Sequence, residues 1–294
     1  MQEEANCAKG TTAFVLTATA LLSWWSLGGI TQLPIDTDDA SYLKNSSRIS
    51  ESFLQILSPE LYFAGRPFTQ LLFFLGFKTW GEDIAAFHLL TIAVHTVASV
   101  LLAVIASRLR LQPQVALAAG VLFFLQAGHF RAVHWVSALA YPLAFVLVAV
   151  SLLCFAEHLR RPSWRWLGTT CLAVILAVLS HVAAVAVLPV SFLLARQHYG
   201  NVRQALPSML PLCGLAIITV LALVIFYPES PQVVQALEET AAIASAFYVL
   251  TLLGRLVTTA HWFFVPPYES QPWEILTGLV FLCVLIGVFR HVAE

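Results

Sequence analysis

The sequence predicts an all-α integral membrane protein with about eight or nine transmembrane helices and a first extracytoplasmic loop that carries interfacial helices. Three observations lead there. Hydrophobic residues make up 59% of the 294 and charged residues only 11%, with mean hydropathy +0.83; a soluble domain would carry about a quarter charged residues. The charges are clustered, which leaves apolar runs near the ~20 residues that a helix needs to cross the hydrocarbon. The ~10-residue alternation of a membrane barrel does not occur.

The first element is Thr11–Ile30, which is longer than a secretory h-region and has no small-x-small cleavage site, so it is read as a retained first helix. Next comes LPIDTDDASYLKN, with three acids at the point where the chain leaves the membrane. In SRISESFLQIL, Ile49, Phe53, Ile56 and Leu57 have helical spacing that suits a helix in the interface. PFTQLLFFLGFKTW is short for a crossing; Pro67 suits a first helical turn, and the segment is predicted to lie along or dip into the outer surface. A helix near 84–107 then descends to Arg108.

Arg108 with Arg110, then Arg160, Arg161 and Arg165, then Arg196 with Arg203 form three clusters. Placing all three in the cytoplasm requires a hairpin between each pair. The runs near 113–128 and 136–157, and near 166–180 and 182–195, supply them. The N-terminus is then cytoplasmic and 31–83 extracytoplasmic. A helix near 208–227 ascends, YPESP turns, and a last helix spans about 273–290. Whether 241–262 crosses or re-enters stays open. The predicted organisation is one polytopic domain over 1–294, with the acidic loop at 31–83 and a second extracytoplasmic or re-entrant segment at 227–272.

The net charge of −1 points to no nucleic acid. None of the five cysteines has CxxC or Cys/His metal spacing, so free packed thiols are expected. The residues able to carry chemistry gather at the predicted outer side. Asp36, Asp38 and Asp39 read either as helix caps in a solvated loop or as crowded carboxylates. One of a crowded set can take a proton from an attacking hydroxyl, and together they can hold a divalent cation, magnesium or manganese. His88 and His95 are seven apart and share one helix face, either to reach a phosphate or to bond between helices. His129, Arg131 and His134 in GHFRAVHW, with Arg66 in AGRPF, form a cationic set suited to phosphate, or an interfacial anchor beside Trp135. The hairpin 166–195 is too short for two full crossings and a loop, which predicts a recess lined by backbone near Ser180 and His181; tilt or local thinning is the alternative.

The ordered set Asp38-Asp39, Arg66-Pro67-Phe68, Phe87-His88-Leu89, His95, His129 with Ala132-Val133-His134-Trp135, and Leu179-Ser180-His181 with Pro189 resembles a known family. It is similar to the GT-C superfamily glycosyltransferases, in particular the polyprenyl- or dolichyl-phosphate-mannose-dependent protein O-mannosyltransferases of the tetratricopeptide-associated type. The likeness runs from about residue 11 to 290. It implies a sugar transfer from a polyprenyl-phosphate donor to a protein or glycan acceptor on the extracytoplasmic face, in a bacterial inner membrane. One of Asp38 and Asp39 would be the general base or a metal-binding acid, and Arg66, His88, His129, Arg131 and His181 would meet the donor phosphate. The family's Lys-Glu after Leu-Ser is here His181-Val182, the acid of the hairpin turn is Arg131, and the chain is shorter than usual. The resemblance is therefore to a shortened, diverged relative. The alternative expectation is a catalytically inactive GT-C-like subunit that binds a membrane protein partner.

Overall fold

A computed structural model describes residues 21, 28–34, 37–61, 63–109, 111–125, 133–227, 276–277, 279–280 and 283. The chain divides into two compact units, Met1–Gln126 with Ala132–Ser230 and Ala127–Arg131 with Pro231–Glu294. The described residues of the second unit, 276–277, 279–280 and 283, are helical. The predicted first helix is described only at Leu21 and from Gly28 onward, and the choice for 241–262 lies outside the described residues. All the elements named below belong to the first unit.

Among the described residues the fold is all-helical. A 3-10 turn, Gly28–Gln32, precedes α1 (Thr37–Glu51), a 3-10 turn at Phe53–Leu57, α2 (Pro67–Trp80), α3 (Ile84–Arg108) and α4 (Pro113–Leu125). After a 3-10 turn at Val136–Leu139 come α5 (Ala140–Arg160) and α6 (Trp164–Ser180). The 3-10 turn Val182–Ala186 leads into α7 (Val187–Tyr199) and then α8 (Val202–Phe226). Among the described residues, four stretches are long and apolar enough to cross a membrane: Ile84–Arg108, Val136–Arg160, Val182–Tyr199 and Val202–Phe226. Only 22% of the apolar window of Val202–Phe226 is buried, with Ile217, Ile218, Leu221 and Ile225 turned outward. An apolar outer surface of this kind is stable against hydrocarbon and costly against water.

The amphipathic spacing over 47–57 does not become one helix. Ser52 is extended (φ −151°, ψ 119°), and the chain breaks into α1 and a 3-10 turn. The break lets Ile49 and Ile56 bury together with Leu61 against Leu71 and Phe74, while Phe53, Leu54 and Leu57 stay exposed. α8 begins six residues before its predicted start. Asn201 Oδ1 accepts the Gln204 N–H at 2.8 Å, a cap that starts the helix there, ahead of Pro207 and Pro211.

Two clusters set the direction of the bundle. Leu159, Ala195 and Ala205 pack at one end, beside the arginines that follow α5 and α7, and Arg108 joins Glu157 there in an ion pair. Ala64, Ala144, Ala177, Val178, Ala184, Leu223 and Tyr227 pack at the other. The helices of these two clusters therefore alternate in direction, and Arg108, Arg160 and Glu157 share one end. α3 and α4 are clamped within the bundle. Ser99 Oγ donates to Gly120 O at 2.7 Å, and His95 Nε2 lies 3.3 Å from Phe124 O. His95 thus sits in an interhelical contact.

α2 meets α3 at Gly76. A Cβ there would stand 2.7 Å from Phe87 Cε1, and the Phe87 ring, fully buried, is held by Phe73 at 5.6 Å and edge-on by Trp80 at 5.8 Å. Gly76→Ala must displace that ring, an overpacking cost of about 1–3 kcal/mol. The expected outcome is a lower Tm of the purified chain in detergent; an unchanged Tm would mean that Phe87 has room to move.

Candidate functional site

Asp38 and Asp39 lie in the first turn of α1, where a carboxylate is favoured by the positive end of the helix dipole. Asp39 is 3% exposed, and its Oδ1 accepts the Ser137 N–H at 2.6 Å across 98 residues of sequence. Ser137 opens the stretch Val136–Arg160, so its amide is among those a helix start leaves without an intrahelical partner. A buried charge meets a buried donor, and α1 is fastened to α5. Arg160 stands at the far end of that stretch, roughly 35 Å away at 1.5 Å per residue. The acids and the arginine clusters therefore occupy opposite ends of the bundle.

The turn before α2 presents the next group. Phe63 (φ +58°) and Gly65 (φ +91°) both adopt left-handed backbone, which a side chain like that of Phe63 adopts at a cost of roughly 1–2 kcal/mol. The result of that strain is visible in Arg66, which is turned inward and only 6% exposed. Its guanidinium lies 5.1 Å from the Phe63 ring centre and 5.7 Å from that of Tyr141. Its Nε has no hydrogen-bond partner, and the ion pairs found among the described residues do not include it. Aromatic faces attract a cation, but they satisfy none of its N–H groups. Beside it Tyr42 is fully buried between Phe63 (5.0 Å) and Phe73 (4.2 Å). Burial pushes the Tyr42 hydroxyl up to about 12, against the opposing pull of Arg66.

The third contribution comes from the break after α6. His181 is extended (φ −158°), and its Nδ1 accepts the Ala183 N–H at 3.2 Å, so the short hairpin is joined by an irregular step rather than by a loop. Thr69 Oγ1 donates to Ser180 O at 3.3 Å and ties this step to α2. The His181 ring lies 4.4 Å from that of Tyr141. Burial first, and the Arg66 charge second, lower its pKa to about 3. The imidazole is therefore neutral throughout the physiological range. With Nδ1 accepting, its proton is on Nε2.

His88 is fully buried on α3, with the Leu33 backbone, Asp39 and His134 as its polar neighbours; neither ring nitrogen closes a hydrogen bond of normal geometry. Of the residues singled out from sequence, Asp38, Asp39, Arg66 and His181 come together at one end, and His88 borders Asp39 and His134. Asp36, His129 and Arg131 lie outside the described residues. Among the described residues no three of His, Cys, Asp and Glu are grouped as a metal ion would need. Sequence reasoning missed Ser137, Tyr141 and Phe63. Tyr141 follows Ser137 by one helical turn, a spacing that becomes informative only once Ser137 is known to face the acids.

A fixed cation, a neutral N–H donor and a carboxylate side by side can hold a phosphate and take up a proton. No family model matches the chain, and no characterised protein or solved structure matches it either.

The two roles of the Asp39 carboxylate can be separated. Asp39→Ala leaves the Ser137 N–H buried and unpartnered, a cost of about 1–3 kcal/mol. Asp39→Asn keeps an acceptor oxygen. A clearly lower Tm for the alanine variant than for the asparagine variant is expected; equal values would show that the contact does not hold α1 in place.

Proposed function

We propose that the chain is a membrane glycosyltransferase of the GT-C kind, which moves a sugar from a polyprenyl-phosphate donor to a protein or glycan acceptor at the extracytoplasmic face. The single observation that carries this reading is Arg66, a buried guanidinium at the same end as the acids whose Nε has no hydrogen-bond partner and which has no carboxylate ion pair among the described residues. Burying an unpaired charge costs several kcal/mol, about what a bound anion returns on meeting it. The placement of the arginine clusters at the other end supports an extracytoplasmic site by the positive-inside rule.

The chemistry divides among the residues by charge and position. Arg66 and His181 hold the donor phosphate. Asp38, half-buried beside Tyr42, accepts the proton of the acceptor hydroxyl as its oxygen bonds to the sugar's anomeric carbon. The bond from that carbon to the phosphate oxygen breaks, and the lipid phosphate leaves with its charge on Arg66. A carboxylate also favours the oxocarbenium character that develops at the sugar. Asp39, its Oδ1 committed to Ser137, keeps Asp38 in register.

The test is transfer from a polyprenyl-phosphate sugar by the purified full chain. Asp38→Asn is expected to lower transfer by at least about 100-fold, the usual range for a lost general base, with donor affinity little changed. Arg66→Gln is expected to weaken donor binding by roughly tenfold or more. Transfer at the wild-type rate by both variants would end the reading. One observation favours the non-catalytic subunit as an alternative: Asp39 is spent on a structural contact. Stable co-purification with another membrane protein, with no turnover of donor, is the result that would select it.

A further inference from the structure

Arg66 is buried, so the groups around it decide how a ligand reaches it. Tyr141 is unlike the others. It is 51% exposed, yet its ring contacts both the Arg66 guanidinium, at 5.7 Å, and the His181 ring, at 4.4 Å. It stands one turn along the helix from Ser137, whose amide holds Asp39. One ring therefore spans the gap between the cation, the histidine and the helix that anchors the acids. The Ala183 N–H fixes the other side of the imidazole by engaging Nδ1, which leaves the Nε2–H as the donor opposite.

We propose that Tyr141 is a positioning residue of this site: its ring covers His181 and Arg66, keeping the imidazole a neutral hydrogen-bond donor beside the guanidinium, so that a phosphate meets one fixed charge and one N–H. The proposal rests on the reading of Arg66 as a phosphate site, and the experiment keeps the two apart. The charged and titratable groups around His181 are Arg66 from the turn before α2 and Tyr141 from α5, with Tyr42 and Asp38 of α1 beyond Arg66. Shielding from water first, and the Arg66 charge second, account for the lowered His181 pKa of about 3. Removing the ring readmits water and returns the group toward the ordinary histidine range near 6.5, where it titrates. The protonated form adds a second charge, so an anion then binds more tightly as pH falls.

Equilibrium binding of a polyprenyl-phosphate sugar to the full chain in detergent reads this directly, because a phosphodiester keeps one charge throughout the range tested. Dimethyl phosphate serves as the competitor without a lipid. Tyr141→Phe keeps the ring and is expected to bind within about twofold of wild type. Tyr141→Ala is expected to bind roughly tenfold more weakly near pH 8 and to recover part of that loss near pH 5.5, a tenfold change being 1.4 kcal/mol. The double variant Tyr141→Ala/His181→Gln is expected to lose the pH-dependent recovery, because glutamine donates an N–H but does not titrate. Dimethyl phosphate should show the same ranking if the headgroup is what Tyr141 positions.

Alanine binding like wild type would overturn the proposal, as would phenylalanine binding as weakly as alanine. A weakened alanine variant whose pH profile matches that of the double variant would also overturn it, since a merely structural loss changes affinity without adding a titration. Dimethyl phosphate competing equally in wild type and Tyr141→Ala would count against it too. Wild type binding neither probe would overturn the phosphate reading itself, before any variant is compared.

Discussion

The site is organised around a guanidinium that has been taken out of water and has no carboxylate partner among the described residues. Arg66 could not stay buried in a bare apolar pocket. It stays because aromatic rings surround it and because the loop before it accepts left-handed backbone at Phe63 and Gly65. The rings of Phe63, Tyr42, Phe73 and Phe87 then run in close succession into the contact between α2 and α3. A disturbance at Gly76 would therefore reach the cation through packed side chains rather than through any flexible segment.

Two long-range contacts give that cluster its position. The carboxylate of Asp39 on the Ser137 amide joins the acidic helix to the start of a spanning stretch, and the Thr69 hydroxyl on Ser180 O joins α2 to the break at His181. Both use backbone groups that helices leave unsatisfied at their ends or breaks. In a bundle whose outer surface is apolar, such groups are scarce, and each one that lies at the same end as a charge is a place where polar chemistry can be held. The other end is built differently. There Arg108 and Arg160 share Glu157, an exposed ion-pair cluster of the kind that anchors rather than binds.

His181 takes its protonation state from this setting. Beside a buried arginine, a second cation would be repelled, and the imidazole responds by remaining neutral. A neutral donor next to one fixed charge suits a singly charged phosphodiester.

The sequence by itself determined the all-helical class and the apolar runs. Apolar runs of membrane length, arginines at alternate run ends and the shortness of 166–195 are properties of local composition and spacing, and they are legible because each depends on neighbouring residues only. Asp38, Asp39, Arg66 and His181 were legible as polar residues set beside apolar runs. Tyr141 and Ser137 were not legible: a tyrosine near a helix start reads as an interfacial anchor, and a backbone amide has no signature at all. The break at Ser52 was hidden as well, because the spacing of Ile49 and Ile56 is the same whether they face lipid or each other. Only the tertiary structure decided which ring covers the cation and which amide holds the acid, since contacts spanning tens of residues follow from how helices pack and not from what surrounds a residue in the chain.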